Sequence, residues 1–100
     1  MNEILPGERC TTMAEVRAGV DALDRELVAL LRRRFDYMDA AARIKPARSA
    51  VRDEARKARV IAQARDAAER LGLPGVTIAA MWETLVEASI DYELAAFDAR

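Results

Sequence analysis

The segment LVALLRRRFDYMDAAARIK, residues 27–45, decides the fold, because its apolar residues recur at the spacing of one helix face. At about 100° per residue, this face forms an apolar stripe made of Val16, Leu23, Leu27, Leu30, Met38 and Ala41. Arg34 lies within the stripe, and Lys45 returns to the same side of the helix. Arg32 lies on the opposite side and Arg33 on a flank. The three consecutive arginines are therefore not one feature, since only Arg34 points inward.

An inward cation needs an anionic partner, because burying an unpaired charge is costly. The chain has 17 acidic and 16 basic residues and a net charge of −1, so it has no global basic field for nucleic acid or an anionic membrane. The cations also point in several directions, and no aromatic residues lie among them to stack bases. We therefore expect a local anion site, and neither nucleic acid nor a membrane as a partner.

The numbers of cysteine and histidine residues exclude several kinds of catalytic and metal site. The single cysteine, Cys10, excludes an intrachain disulfide framework and agrees with a reducing compartment. The chain has no histidine, which removes the usual general base and most zinc sites. No apolar run approaches a membrane span and the opening MNEILPGERC has no hydrophobic signal region, so we expect a cytoplasmic location. We expect no metal and no cofactor.

Prolines and glycines divide the chain into three helical stretches within a single domain, residues 1–100. Residues 1–11 are expected to form a flexible N-terminus. The capping box Thr12-Met-Ala-Glu15 then begins a first helix that continues to Lys45, ahead of Pro46. Such a helix extends roughly 50 Å, whereas a compact domain of this size has a radius of gyration of about 13 Å. We therefore expect a partner chain to cover the apolar stripe.

Two shorter helices follow a connector at residues 46–52. Asp53 is expected to cap the second helix, which runs to about Leu71 with Gly72 as its stop. The third helix covers about residues 76–97. The expected inward residues are Val60, Ala64, Ala67 and Leu71 in the second helix, and Ile78, Met81, Leu85, Ser89 and Tyr92 in the third, with Trp82 and Glu93 at its edge. The predicted class is all-α, with three helices per chain and a long first helix.

Charged and polar side chains on the inward faces predict an anion pocket. Its expected members are Arg34, Lys45, Arg56, Asp53, Ser89 and Glu93. Arg17 lies roughly 100° around the first helix from Arg34 and is placed to serve a different copy of the site. Any one such cation alone is more often a snorkelling chain or half of an ion pair. Arg34 and Lys45 are about 16 Å apart along the axis, and together they suit a small ligand bearing two carboxylates.

The segments VRAGVDALDRELVALLRRRFDYMDAAARIK, VRDEAR and LVEASIDYE resemble the all-helical chorismate mutase family and its relative isochorismate pyruvate-lyase. The resemblance covers the chain from Val16 to about Phe97. It rests on the pattern R-x6-D-x9-R-x10-K in the first helix and on an arginine in the second. It implies an intertwined helical homodimer with two equivalent sites, each taking one arginine from the opposite subunit. The implied substrate is a small dicarboxylate, chorismate or isochorismate.

The resemblance also implies a role for each matching cation. Arg17 resembles the arginine donated across the dimer to the other subunit's site. Arg34 and Lys45 resemble the first-helix cations that hold a substrate carboxylate and the ether oxygen. Arg56 resembles the second-helix arginine that binds the other carboxylate. The implied catalytic set is Lys45, Arg34 and Glu93, and the others bind substrate.

The family reaction, chorismate to prephenate, is an intramolecular pericyclic rearrangement that needs no nucleophile, metal or obligatory proton transfer. The site has to hold a compact conformer and place positive charge at the breaking ether bond, where Lys45 is the leading candidate. Asp53 and Ser89 match polar positions near the substrate's ring hydroxyl and carboxylate. Glu93 falls where many bacterial mutases carry glutamine, and a glutamate donates a hydrogen bond only when protonated. Activity is therefore expected to fall as the pH rises.

Several features of the sequence leave open which of the two reactions the resemblance implies. Lys57 stands where mutases often have a glutamate that contacts the substrate hydroxyl. The stretches CTTMAEVR and DYMDAAARIK resemble the lyase at least as much as the mutase, and the lyase eliminates pyruvate from isochorismate to give salicylate. The connector at residues 46–52 is expected to act as a lid and to decide between them. Chorismate mutase is the first interpretation, the lyase is the alternative, and a non-catalytic helical dimer module is the third.

Overall fold

The computed structural model describes residues 4–100, and all regular structure in that range is helical. The three helices are α1 (Met13–Ile44), α2 (Glu54–Arg70) and α3 (Gly75–Asp98), with single 3-10 turns at Gly7–Arg9 and Arg48–Ala50. The predicted all-helical class and the three predicted helices are confirmed. Across the described residues, no helix is both long and apolar enough to cross a membrane.

The helix ends form where the sequence places capping residues. At the start of α1, the Glu15 amide donates to Thr12 Oγ1 at 3.2 Å and the Thr12 amide donates to Glu15 Oε1 at 3.0 Å, so the capping box is complete. Hydrogen bonds from the Thr11 and Thr12 amides and hydroxyls lower the pKa of the Glu15 carboxyl. Gly72 adopts a φ of 74° after α2, a left-handed conformation that favours glycine at this position.

The chain divides into two compact units, one ending at Asp36 and one beginning at Tyr37. In the C-terminal unit α2 packs on α3, and the 3-10 turn at Arg48–Ala50 also contacts α3. The main buried apolar cluster of this unit is made of Val51, Val86 and Ile90, with Val60, Ile61, Trp82, Leu94 and Phe97 packed against it. The connector therefore contributes a core residue of its own, which is Val51.

The N-terminal unit leaves the apolar stripe of α1 exposed. Leu23 is 58% exposed, Leu27 57% and Leu30 52%. Ahead of the helix, the Leu5 carbonyl lies 3.7 Å from where a Cβ on Gly19 would be, so the preceding segment passes close to α1 at that point. Part of the predicted flexible N-terminus, residues 1–3, lies outside the described residues.

Two predicted inward faces were wrong in detail. In α2, Leu71 is 78% exposed and Ala68 is buried instead, because alanines occur on several sides of this helix and give its face no sharp direction. In α3, Met81 is 56% exposed, and the buried face runs through Val86, Ser89, Ile90 and Glu93. That helix is apolar around most of its surface, so periodicity alone did not fix which side packs inward.

Candidate functional site

In the C-terminal unit, an ion pair joins the residue that follows α1 to a buried carboxylate of α3. Lys45 directly follows α1, and its Nζ donates to Glu93 Oε2 at 2.7 Å and to the Val51 carbonyl at 3.4 Å. Glu93 is only 4% exposed, whereas the Lys45 side chain keeps 30% of its surface accessible. A buried carboxylate is stable only when paired, and Lys45 supplies the charge. The structure thus joins two predicted catalytic residues, although the sequence placed Glu93 at an edge.

Ser89 lies one turn before Glu93 on the same face of α3. It is 3% exposed, and its hydroxyl donates to the Leu85 carbonyl at 2.7 Å. Nearby on α3, the Tyr92 hydroxyl donates to Asp39 Oδ2 at 3.1 Å, which ties the last turns of α1 to α3. The C-terminal end of α1 and the middle of α3 therefore frame the Lys45 side chain.

The connector at residues 46–52 is held to α3 by two arginines. Arg48 binds Asp98 through Nε and Nη2 at 2.9 and 3.3 Å, and this carboxylate raises the Arg48 pKa. Arg52 binds Glu87 through Nη1 and Nη2 at 3.1 and 2.9 Å. Hydrogen bonds first from Arg52 and then from Lys57 lower the pKa of the Glu87 carboxyl to about 2. Paired hydrogen bonds of this kind fix geometry as well as charge.

Lys57 turns toward α3 rather than toward solvent. Its Nζ lies 2.6 Å from Glu83 Oε1 and 3.0 Å from Glu87 Oε2, and its side chain is only 16% exposed. Hydrogen bonds to these two carboxylates, with Glu83 the stronger, raise the Lys57 pKa. This pairing gives the lysine a place in the fold, at a position where the mutases that the sequence resembles often carry a glutamate.

Asp53 and Arg56 meet at the start of α2. The Asp53 carboxylate accepts a hydrogen bond from the Arg56 amide at 3.0 Å and so caps the helix, as predicted. The Arg56 side chain lies in the exposed first turn. Arg17 and Arg34 lie on α1 in the N-terminal unit, where Arg17 is exposed and Arg34 is half-buried.

Several polar contacts around Lys45 were not predicted. Arg100 donates from Nη1 to the carbonyls of Ala42 at 3.0 Å and Lys45 at 2.7 Å, so it caps the end of α1. Its guanidinium also stacks on Phe97, 3.8 Å from the ring centroid. For the contacts between the connector and α3, the signal in the sequence was the complementary charge of the connector arginines and the α3 carboxylates.

Two comparisons relate the chain to known proteins. The sequence model of the family described as chorismate mutase type II matches residues 16–94, a range that contains every predicted site residue. The chain is also similar to an isochorismate pyruvate lyase of Pseudomonas aeruginosa. The two are 30% identical over 79 residues, which cover 79% of this chain and 78% of the relative.

Proposed function

The chain belongs to the chorismate mutase type II family, and on that premise we propose that it converts chorismate to prephenate at a site built around Lys45. Family membership and the similar lyase support an enzyme of the isomerase or lyase class. The observation that carries the proposal is the pair of Lys45 and the buried Glu93, which fixes an ammonium group 2.7 Å from a carboxylate in a partly accessible position.

The rearrangement breaks an ether bond while a carbon–carbon bond forms in the same molecule. Negative charge develops on the ether oxygen in the transition state, so a fixed cation there lowers the barrier. Lys45 is held by Glu93 and by the Val51 carbonyl, and such preorganised groups stabilise developing charge without reorganising. We assign Lys45 the role of hydrogen-bond donor to the ether oxygen.

Glu93 is proposed as a second donor to the same oxygen. The ionised carboxylate that pairs with Lys45 can only accept hydrogen bonds, whereas the protonated acid can donate one. Substrate binding would then require Glu93 to take up a proton, while the third N–H of Lys45 Nζ, which is used by neither Glu93 nor Val51, donates to the ether oxygen. The proposed reaction is therefore favoured by low pH.

The remaining cations are proposed to bind the two substrate carboxylates. Arg34 and Arg56 are suited to this because a guanidinium forms paired hydrogen bonds with a carboxylate. Arg17 is proposed to reach the site of a partner subunit in an intertwined homodimer, which the exposed apolar stripe of α1 supports. Asp53 and Ser89 are proposed to lie near the substrate's ring hydroxyl and carboxylate, with the Asp53 carboxylate also capping α2.

Elimination of pyruvate from isochorismate is the second candidate. It is favoured by the similarity to the Pseudomonas aeruginosa isochorismate pyruvate lyase, which is 30% identical. The same cations suit either substrate, because both carry two carboxylates and an ether oxygen. The arginine-held connector is the segment that we propose to distinguish the two reactions, through ordering and exclusion of water.

The test is a paired assay of the purified protein with chorismate and with isochorismate. Prephenate is followed in the first reaction, and salicylate and pyruvate in the second. Lys45→Ala, purified in the same way, controls for contaminating host enzymes and should lose turnover of the preferred substrate. Higher kcat/KM for chorismate supports the mutase, higher kcat/KM for isochorismate assigns the lyase, and turnover of neither overturns both proposals.

A further inference from the structure

We propose that Glu87 is a positioning residue for Lys45, which it orients through Arg52 and the Val51 carbonyl. This proposal rests on the role given to Lys45 in the proposed function. It concerns a carboxylate on α3 that contacts neither Lys45 nor any other residue assigned to substrate. The sequence offers no sign of the role, because Glu87 lies 35 residues from Arg52 along the chain.

The contacts form a continuous path. Glu87 holds the Arg52 guanidinium through two hydrogen bonds of 3.1 and 2.9 Å. Arg52 follows Val51 directly, so the Val51 carbonyl belongs to the peptide unit that joins these two residues. That carbonyl accepts a hydrogen bond from Lys45 Nζ at 3.4 Å. Because the peptide unit is planar, fixing the residues at its two ends restricts the direction in which its carbonyl points.

Both ends of this peptide unit are fixed, but by different means. The Val51 side chain is 4% exposed and packs with Val86 and Ile90, which sets its depth in the core. Arg52 lies at the surface, and its contacts are the carboxylates of Glu87 and Glu54. Of these two, only Glu87 lies on α3, so only Glu87 ties Arg52 to the helix that carries Glu93. Loss of the Glu87 charge should therefore let the peptide unit rotate about the Val51 anchor.

Glu87 also contacts Lys57, so the effect through Arg52 must be separated from an effect through Lys57. Glu83 provides the matched control, because it lies one turn earlier on α3 and binds Lys57 at 2.6 Å. A lower kcat in Glu83→Gln would indicate an effect through Lys57. A lower kcat in Glu87→Gln alone would indicate an effect through Arg52.

The experiment compares wild type, Glu87→Gln and Glu83→Gln by steady-state kinetics on the preferred substrate and by hydrogen exchange. The expected result for Glu87→Gln is a kcat lower by about three- to tenfold with a nearly unchanged KM, since Lys45 acts on charge that develops in the transition state. The amides of Ala50 and Val51, which donate to Ala47 and Arg48, should exchange faster by a similar factor of about three to ten. Glu83→Gln should match wild type in both.

Restoring a carboxylate gives an internal check, since Glu87→Asp should recover part of the lost kcat. Equal kcat in wild type and Glu87→Gln overturns the proposal, as does an equal loss in Glu83→Gln. If the wild type turns over neither substrate, the proposed function fails. Hydrogen exchange then still tests whether Glu87 holds the Val51–Arg52 peptide unit in place. Unchanged exchange of the Ala50 and Val51 amides in Glu87→Gln overturns the positioning role independently of turnover. A urea titration of each variant identifies any loss caused by global unfolding.

Discussion

Lys45 and Glu93 show how much of the candidate site could be inferred from the sequence. The position of Lys45 followed from helical periodicity, because eleven residues after Arg34 return to the same side of α1. The burial of Glu93 did not follow, since the surrounding segment of α3 is apolar on most sides and allows several inward faces. The cost of burying a carboxylate explains why Glu93 pairs with Lys45. The local sequence around either residue does not predict which residue the other partner is.

Replacing Glu93 by glutamine should flatten the dependence of turnover on pH. In the wild type, kcat/KM should fall as the pH rises, because only the protonated acid can donate to the ether oxygen. Glutamine donates at every pH. The measurement is kcat/KM from pH 4 to 9 for both proteins, with ionic strength held constant. The same falling profile in both would exclude Glu93 as the titrating donor.

Glu87 should make the fold sensitive to acid. Its pKa is lowered from 4.5 to about 2 by Arg52 and Lys57, so its contribution to stability is present above pH 4.5 and is lost as the pH falls toward 2. Glu87→Gln should lose less unfolding free energy over that range than the wild type. Urea unfolding at several pH values and one chain concentration measures the difference. Glu69→Gln, which removes a surface carboxylate paired with Arg65 within α2, is the matched control and should follow the wild type.

Helix ends were predictable because capping is local. The reciprocal hydrogen bonds of Thr12 and Glu15, and the left-handed φ of Gly72, depend on residues within one turn of each end. The helix faces were less predictable, because which side packs inward depends on neighbouring elements. Leu71 illustrates this, since it continues the periodicity of α2 but is 78% exposed.

The N-cap of α2 can be tested by substitution of Asp53. Asp53→Ala should lower the free energy of unfolding by about 1 kcal/mol, whereas Asp53→Asn should keep nearly all of it, because asparagine caps as well as aspartate. Denaturant titrations of the two variants measure this. The same pair separates structure from substrate contact, since a lower kcat/KM in a fully stable Asp53→Asn protein points to a role beyond capping. Equal stability of the alanine variant and the wild type would contradict the capping role.

For the chain as a whole, the sequence predicted three helices and an apolar stripe that needs covering. It did not predict the contacts of Arg48 with Asp98 or of Arg52 with Glu87, which join residues 50 and 35 positions apart. Periodicity compares neighbours along one element and carries no information about such pairs. These pairs become visible only when the structure shows the connector packed against α3.

The oligomeric state of the protein can be tested at the apolar stripe of α1. Leu27 is 57% exposed in the single chain, so its cover is proposed to come from a second copy. We expect the wild type to sediment as a dimer. Leu27→Glu should sediment as a monomer, because a charge buried in the interface opposes association. The monomer should show little turnover, because its site lacks the Arg17 that the second copy is proposed to supply. Arg33→Glu, a charge reversal on an exposed flank of α1, should remain dimeric. A monomeric wild type at micromolar concentration would contradict the proposed dimer.

The hydrogen bond that fixes Lys45 to Glu93 has a consequence for conformational entropy. A free lysine side chain loses up to about 2 kcal/mol of rotamer freedom when it is ordered. Because Lys45 Nζ is already held 2.7 Å from Glu93, that loss occurs when the chain folds and does not reduce the affinity for an incoming ligand. An anion that reaches Lys45 therefore meets a cation whose rotamer is already selected, and its binding free energy remains available for restraining its own conformation.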